Sequence, residues 1–489
     1  MLNPTRSFRA TALSVVAAVL LFGSCKKDPV DVTPAPTTGG GSTASTSYVN
    51  NWILENMRLV YYWNDKIPAN PNLTLAPADF FESLLYRYNA TTNPFGDRFS
   101  WIQESAAELT ASLNGETRTT GMDFTLIRAS ASSNDVLGVV TYVLPGSPAD
   151  RAGIKRNDLF FSVNGIILTT DQATLNRAFA DESATQTYGF ATIQNGAVAR
   201  TSTTKSVTPV VFQENPIYKD SVYTVGNRKI GYLLYNQFVP GPNGSANSKA
   251  YDDQFKAVFG KFKAQGVNEL ILDLRYNGGG YVSSARELAS LIVKGVNGQS
   301  NAVFFRTEYN SLLTAEIKKD PRADLNTYFV NAPNNIGGQL DRVYVITTRR
   351  TASASELIIN GLRPYMAVNT IGTTSYGKNV GSFTVSDDKN KDNKWGLQPI
   401  VSRSFNKNNE SDYWTGFTPT VTVNEPYGQL VPLGDLRDPL LATAINHMNG
   451  RTSGGRQSAG PDLTVGSSDD FKPGANSMFG ENPLRKSTK

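Results

Sequence analysis

Cysteine and histidine each occur once in the 489 residues, as Cys25 and His447. One of each cannot assemble a zinc site of Cys and His ligands, and a single thiol cannot close a disulfide within the chain. A cysteine nucleophile would have to be Cys25, and a histidine general base would have to be His447. Excess charge is also scarce: 47 Lys and Arg against 42 Asp and Glu leave +5. With no block of five basic residues, the chain does not read as a nucleic-acid binder. Asp388, Asn390 and Asp392 imitate the start of a calcium loop, but Asn393 stands where that loop needs Gly and Pro399 where it needs Glu. What is present is length, enough for about three domains of ~150 residues.

The lone cysteine sits in a characteristic place. Arg6 and Arg9 precede an apolar stretch, Ala10 to Phe22, of 13 residues. As a helix it would reach about 20 Å, too short to cross a bilayer. Phe22-Gly23-Ser24-Cys25 then resembles a bacterial lipoprotein signal, which implies removal of residues 1–24 and lipidation of Cys25. Acyl chains anchor at ~0.8 kcal/mol per buried methylene. Lys26, rather than Asp, follows the cysteine, as suits retention at the outer membrane of a Gram-negative bacterium, facing the periplasm or the outside.

Beyond it, residues 25–47 are rich in Pro, Thr, Gly and Ser and read as a flexible tether. Residues 48–115 carry helical periodicity (Trp52, Ile53, Met57, Leu59, Val60; Phe80, Phe81, Leu84, Leu85) and predict a small helical domain. Residues 116–210 turn to short β-rich runs broken by Gly, Pro and Asn. Residues 228–449 alternate strand and helix patterns, the mark of an α/β domain. Residues 450–489 are rich in Gly, Ser and Asn and are expected to be a disordered tail. His447 is placed near the end of the last helix, in a surface or C-terminal-turn role.

Three strand-to-helix junctions in the α/β segment carry the chemistry. Leu270 to Leu274 runs into Asn277-Gly278-Gly279-Gly280 and a helix from Val282 to Val293. Val343 to Ile346 runs into Thr351-Ala352-Ser353-Ala354-Ser355-Glu356 and a helix to about Leu362. Val368 to Ile371 runs into Ser375-Tyr376-Gly377-Lys378. Parallel crossovers of this spacing put all three loops at the carboxyl edge of one sheet, where α/β proteins place their sites. Ser353 and Lys378 would meet there. A serine hydroxyl needs a base, and with one histidine in the chain a lysine is the substitute, provided burial makes it neutral. Tyr376 and Phe383 are candidates for the apolar walls. The backbone N–H groups of Gly279 and Ala354 are candidate oxyanion donors. Ser353 with Glu356 three residues on is equally a helix capping box.

These segments resemble a known family. Leu272-Asp273-Leu274-Arg275-Tyr276-Asn277-Gly278-Gly279-Gly280, Thr351 to Glu356, Tyr376-Gly377-Lys378 and Gly434-Asp435-Leu436-Arg437-Asp438-Pro439 are similar, in order, to the motifs of the carboxyl-terminal processing peptidases, or tail-specific proteases. The resemblance implies an α/β chain with a ClpP/crotonase-like peptidase core, an in-line PDZ domain and a small helical N-terminal domain. It implies Ser353 as nucleophile, Lys378 as general base, Gly279 and Ala354 as the oxyanion hole, and no cofactor. Many members carry Gln four residues after the lysine, where this chain has Ser382, which makes Glu356 the candidate partner of the lysine, in competition with its capping role.

Val139 to Ala149, Ala152-Gly153-Ile154, Asp158-Leu159 and Val163-Asn164-Gly165 resemble a protease-type PDZ domain, with Gly121-Met122-Asp123-Phe124 as its ligand loop. Such a domain adds a peptide as a strand and captures its terminal carboxylate on backbone N–H groups. Asp123 would place a negative charge beside that carboxylate. The expected partners are polypeptides with free carboxyl ends, and the oligomeric state is left open. The rival reading is a PDZ-bearing peptide-binding or chaperone-like lipoprotein with an inactive peptidase core.

Overall fold

The computed structural model describes residues 41–180, 183–194, 197–242, 248–451, 463–472 and 478–484. Cys25 and the expected signal lie outside the described residues. The last residues of the expected tether are built into the fold: Thr43 N–H donates to Asp392 O at 3.1 Å, and the first helix begins at Thr46.

The N-terminal domain is helical, as its periodicity predicts. Ser45 accepts a hydrogen bond from Tyr48 N–H and caps the helix Thr46–Val60. Val49, Ile53, Leu54, Met57 and Val60 form its buried stripe, packed against Phe80 and Phe81 of the helix Pro77–Ser83. Its short strand Trp101–Gln103 pairs with Gly396–Gln398 of the α/β domain.

In that α/β domain a six-stranded sheet runs in the order Ile217–Val225, Arg228–Tyr235, Glu269–Asp273, Arg342–Thr347, Ala367–Gly372 and Val421–Thr422. The first pair is an antiparallel hairpin, so this sheet starts 11 residues earlier than the sequence predicts, at Ile217. All later pairings are parallel, with Leu270 opposite Val343 and Ile346 opposite Ile371. Successive side chains point to opposite faces and both faces are covered, so these strands read as continuous apolar runs. Leu270 and Leu272 face the helices Ala250–Ala264, Val282–Ile292 and Ala354–Leu362, while Ile271 faces the helix Pro439–Met448. His447 lies in the last turn of that final helix, its Nδ1 3.0 Å from the Tyr344 hydroxyl.

The β-rich segment folds as Met122–Arg128, Val136–Val143, Leu159–Val163, Gln186–Gln194 and Ala197–Val207 around a core of Phe124, Phe160, Leu175 and Tyr188. The edge strand of this sheet is the surprise. Thr464–Ser467, from the tail expected to be disordered, pairs antiparallel with Met122–Arg128. Met478–Phe479 forms a second tail strand between Gly280–Tyr281 and Val380–Ser382. Composition alone conceals this order, because Val465, Phe471, Met478 and Phe479 find apolar partners only in distant parts of the chain.

Candidate active site

The parallel register brings the three expected loops to one edge of the sheet. Asp273 pairs with Ile346 and Thr347 with Gly372, so the chain leaves all three strands at the same level. Thr351 Oγ1 donates to Leu274 O at 2.8 Å, and Ala352 N–H donates to Asn277 O at 3.0 Å, tying the serine loop to the glycine loop. Ser353 then opens the helix Ala354–Leu362 at φ 65° and ψ −112°. A non-glycine residue in this region carries strain, on the order of 1–3 kcal/mol, and residues held so cluster at functional sites. Its hydroxyl is buried and has no hydrogen-bond partner among the described residues. Of the expected capping box, the half in which the Glu356 carboxylate accepts Ser353 N–H is formed, while Ser353 Oγ itself makes no hydrogen bond among the described residues.

Glu356 joins the serine and lysine loops. Its Oε2 accepts Ser353 N–H at 2.9 Å and Lys378 N–H at 2.8 Å. Its Oε1 accepts the Ser375 hydroxyl at 2.6 Å and Gly377 N–H at 2.8 Å. Burial raises its pKa, against the pull of these four donors. The expectation that Glu356 pairs with the lysine is corrected in one respect: it holds the backbone of Lys378, and no ion pair joins it to the ammonium. The carboxylate spends all its contacts on backbone and hydroxyl donors because the loop wraps directly around it.

Lys378 is buried, and loss of water lowers its pKa to about 7; Arg98 pushes the same way, while Asp97 and Glu356 oppose. Its Nζ lies 4.4 Å from the centroid of the Phe99 ring. Arg98 donates to Gly377 O at 2.8 Å and to Trp414 O at 3.1 Å. So the N-terminal domain supplies the wall of the lysine site, a role no spacing in the sequence could disclose. Phe383, expected as a wall, packs instead with the N-terminal helices, and Tyr376 is partly exposed beside Phe99. Ser382 donates to Met478 O and accepts from Gln398 Nε2 at 2.9 Å.

Of the two expected oxyanion donors, Ala354 N–H is the first of its helix, where no intrahelical acceptor exists. Gly279, at φ 110°, donates its N–H to Asn277 Oδ1 at 2.8 Å. In the sequence Asn277 reads only as part of a motif, yet it anchors the loop by also donating to Tyr235 O at 2.8 Å and accepting the Ser355 hydroxyl at 3.0 Å.

The expected carboxylate loop of the β-rich domain is corrected. Gly121 and Met122 N–H donate to the hydroxyls of Thr119 and Thr120, at 3.0 and 3.3 Å. Phe124 is buried against Phe160 and Phe179. Asp123 is buried, accepts from Thr141, and forms an ion pair with Arg350, whose Nη2 lies 2.7 Å away. Burial opposes its ionised form, but Arg350 and Lys472 outweigh that and hold the carboxyl well below the usual range. Threonine side chains just before the loop thus engage two of the backbone donors that would face a peptide carboxylate.

Comparison with known proteins agrees with this architecture. Residues 229–423 match peptidase family S41, residues 48–101 the peptidase S41 N-terminal domain, and residues 139–175 a PDZ domain. A carboxyl-terminal-processing protease of a Picosynechococcus species is 27% identical over 246 residues, 50% of this chain and 51% of that protein. A CtpA-like serine protease of Staphylococcus aureus is 25% identical over 264 residues, 54% of this chain and 46% of that protein. The chain thus spans about half the length of the curated relatives it matches. A Bacteroides fragilis crystal structure assigned to the S41 proteases superposes with a TM-score of 0.63 at 27% identity, covering 82% of this chain and 97% of the other. With the N-terminal, PDZ and peptidase domains matched in order, the chain carries the domains of peptidase family S41.

Proposed function

We propose that the protein is a serine endopeptidase of Ser/Lys type that cleaves loosely folded polypeptides near their carboxyl ends. The observation that carries the reading is a buried lysine with its pKa brought to about 7, on a loop bound through Glu356 to the backbone of a strained serine. Neutral Lys378 takes the Ser353 hydroxyl proton as Oγ attacks the scissile carbonyl carbon. Ala354 N–H and, once released from Asn277, Gly279 N–H stabilise the oxyanion. Collapse breaks the C–N bond, the lysine returns its proton to the leaving amine, and water hydrolyses the Ser353 ester with Lys378 again as base. A related lipidation reading accompanies it: Cys25 carries the acyl anchor at the outer membrane. Palmitate labelling of the full chain, lost in Cys25→Ala, is the expected result; label retained in that variant rejects the anchor.

The peptidase test is cleavage of an unfolded, carboxyl-terminally labelled polypeptide by the chain and by Ser353→Ala and Lys378→Ala. Expected are fragments from the unsubstituted chain alone, with a rate that rises as pH passes through about 7 because the base must be neutral. Equal rates in all three proteins would reject the site.

A further inference from the structure

A PDZ domain takes an extended peptide on a free strand edge, with pockets for alternate side chains. Here that edge, Met122–Arg128, is already taken. Thr464 pairs with Ile127, Gly466 with Leu126 and Ser467 with Thr125, in antiparallel register. Phe471 packs its ring 4.5 Å from Phe179, the residue that ends the groove helix Gln172–Ala178, and Val465 packs on the same core. Polar contacts complete the fit. Ser468 Oγ donates to Asp123 Oδ2 at 2.9 Å, and Asp469 Oδ2 accepts from Arg350 Nε at 2.8 Å. Arg350 lies three residues before Ser353 and also grips Asp123, so one guanidinium links the PDZ strand, the tail and the nucleophile loop. Further along, Met478–Phe479 lies between the strand after the oxyanion loop and the strand after Lys378; Met478 O accepts from Ser382 Oγ at 3.1 Å.

We propose that residues 463–472 are a resident ligand of the PDZ groove, supplied by the chain itself, and that a polypeptide partner gains the groove by displacing them. The partner's chemistry is that of the segment it replaces: an extended strand with a β-branched apolar residue, a carboxylate for Arg350, and an aromatic ring for Phe179. Displacing the tail would release Arg350, three residues before Ser353, from Asp469 and so alter the setting of the serine loop. This consequence for catalysis rests on the peptidase reading above; the occupancy of the groove does not.

The test measures binding, so it stands whether or not the chain cleaves anything. A fluorescein-labelled, amidated peptide with the sequence of residues 463–472 is titrated into the full chain carrying Ser353→Ala, and into the same chain with Phe471→Ala or, separately, Gly466→Pro added. A resident segment reduces the fraction of open groove, and with it the apparent affinity. Both added substitutions loosen it, so each is expected to tighten peptide binding by about tenfold or more. A peptide lacking the Asp469 carboxylate (D469A) should bind the loosened chains more weakly. Equal affinity for all three chains, or no binding to any of them while each melts cooperatively, overturns the proposal.

Discussion

On the Ser/Lys reading proposed above, Lys378 couples the rate to the stability. Its folded pKa of about 7 lies below the ordinary 10.5, because burial strips water from the ammonium. Between those values the unfolded chain binds a proton that the folded chain does not, so stability rises with pH across that window and carries a constant penalty below it. Lys378→Met should abolish cleavage and raise stability at pH 7 by on the order of a few kcal/mol, since each tenfold loss of proton affinity on folding corresponds to about 1.4 kcal/mol. In urea titrations at pH 6 and pH 9 that advantage should shrink at the higher pH. Glu356→Gln tests the neighbouring group. Whichever way the amide lies, its NH2 faces two donors now held by the carboxylate, a loss of about 1–3 kcal/mol in urea. Removing the charge that favours Lys378 protonation should also move the acid limb of the rate profile to lower pH.

Among the elements, the glycine loop proposed to hold the oxyanion depends on backbone that only glycine tolerates. Gly280 sits at φ 129°, and a Cβ there would lie 2.3 Å from Phe238 O, which accepts Tyr281 N–H at 2.7 Å. Gly280→Ala must break that bridge or move the loop, at a cost on the order of 1–3 kcal/mol. A melt lowered by a few degrees with cleavage reduced at least tenfold is expected; a variant cleaving at the unsubstituted rate would show that the loop has slack. Gly377 has the same need, its φ of 92° bringing a Cβ within 2.4 Å of Trp414 O.

For the molecule as a whole, buried charge joins the domains. Arg275, fully enclosed, pairs with Asp273 and Asp438 at 2.7 Å and with Glu425 at 3.1 Å. Arg156 of the PDZ domain reaches the same Glu425 at 3.2 Å and the Tyr276 hydroxyl at 2.8 Å. Burial opposes ionisation of Asp438, but Arg275 outweighs it and holds the carboxyl below its usual range. Arg275→Leu leaves three carboxylates without their central cation and should cost about 3–5 kcal/mol. The deficit should narrow in urea titrations as pH falls and Asp438 takes up its proton, since a depressed carboxylate pKa stabilises only above it.

How much can be read beforehand depends on how local each signal is. The placement of the loops bearing Ser353, Lys378, Gly279 and Ala354 is legible because each follows a strand whose apolar run and following glycines or helix signature lie within a few residues. Asn277 reads in the sequence only as part of a motif and Arg98 carries no signal of its role, since their hydrogen bonds to Tyr235, Gly377 and Trp414 span tens to hundreds of residues.

By itself the sequence determined the order of domains, the parallel strand-loop-helix units and the loops that carry the serine and the lysine, because those follow from local periodicity and turn chemistry. Tertiary structure decided what the lysine faces, which atoms of Glu356 serve which loop, and where the tail goes. Phe99 can lower the polarity around Lys378, and Phe471 can order a Gly- and Ser-rich tail, only when folding brings distant apolar surfaces together and removes them from water.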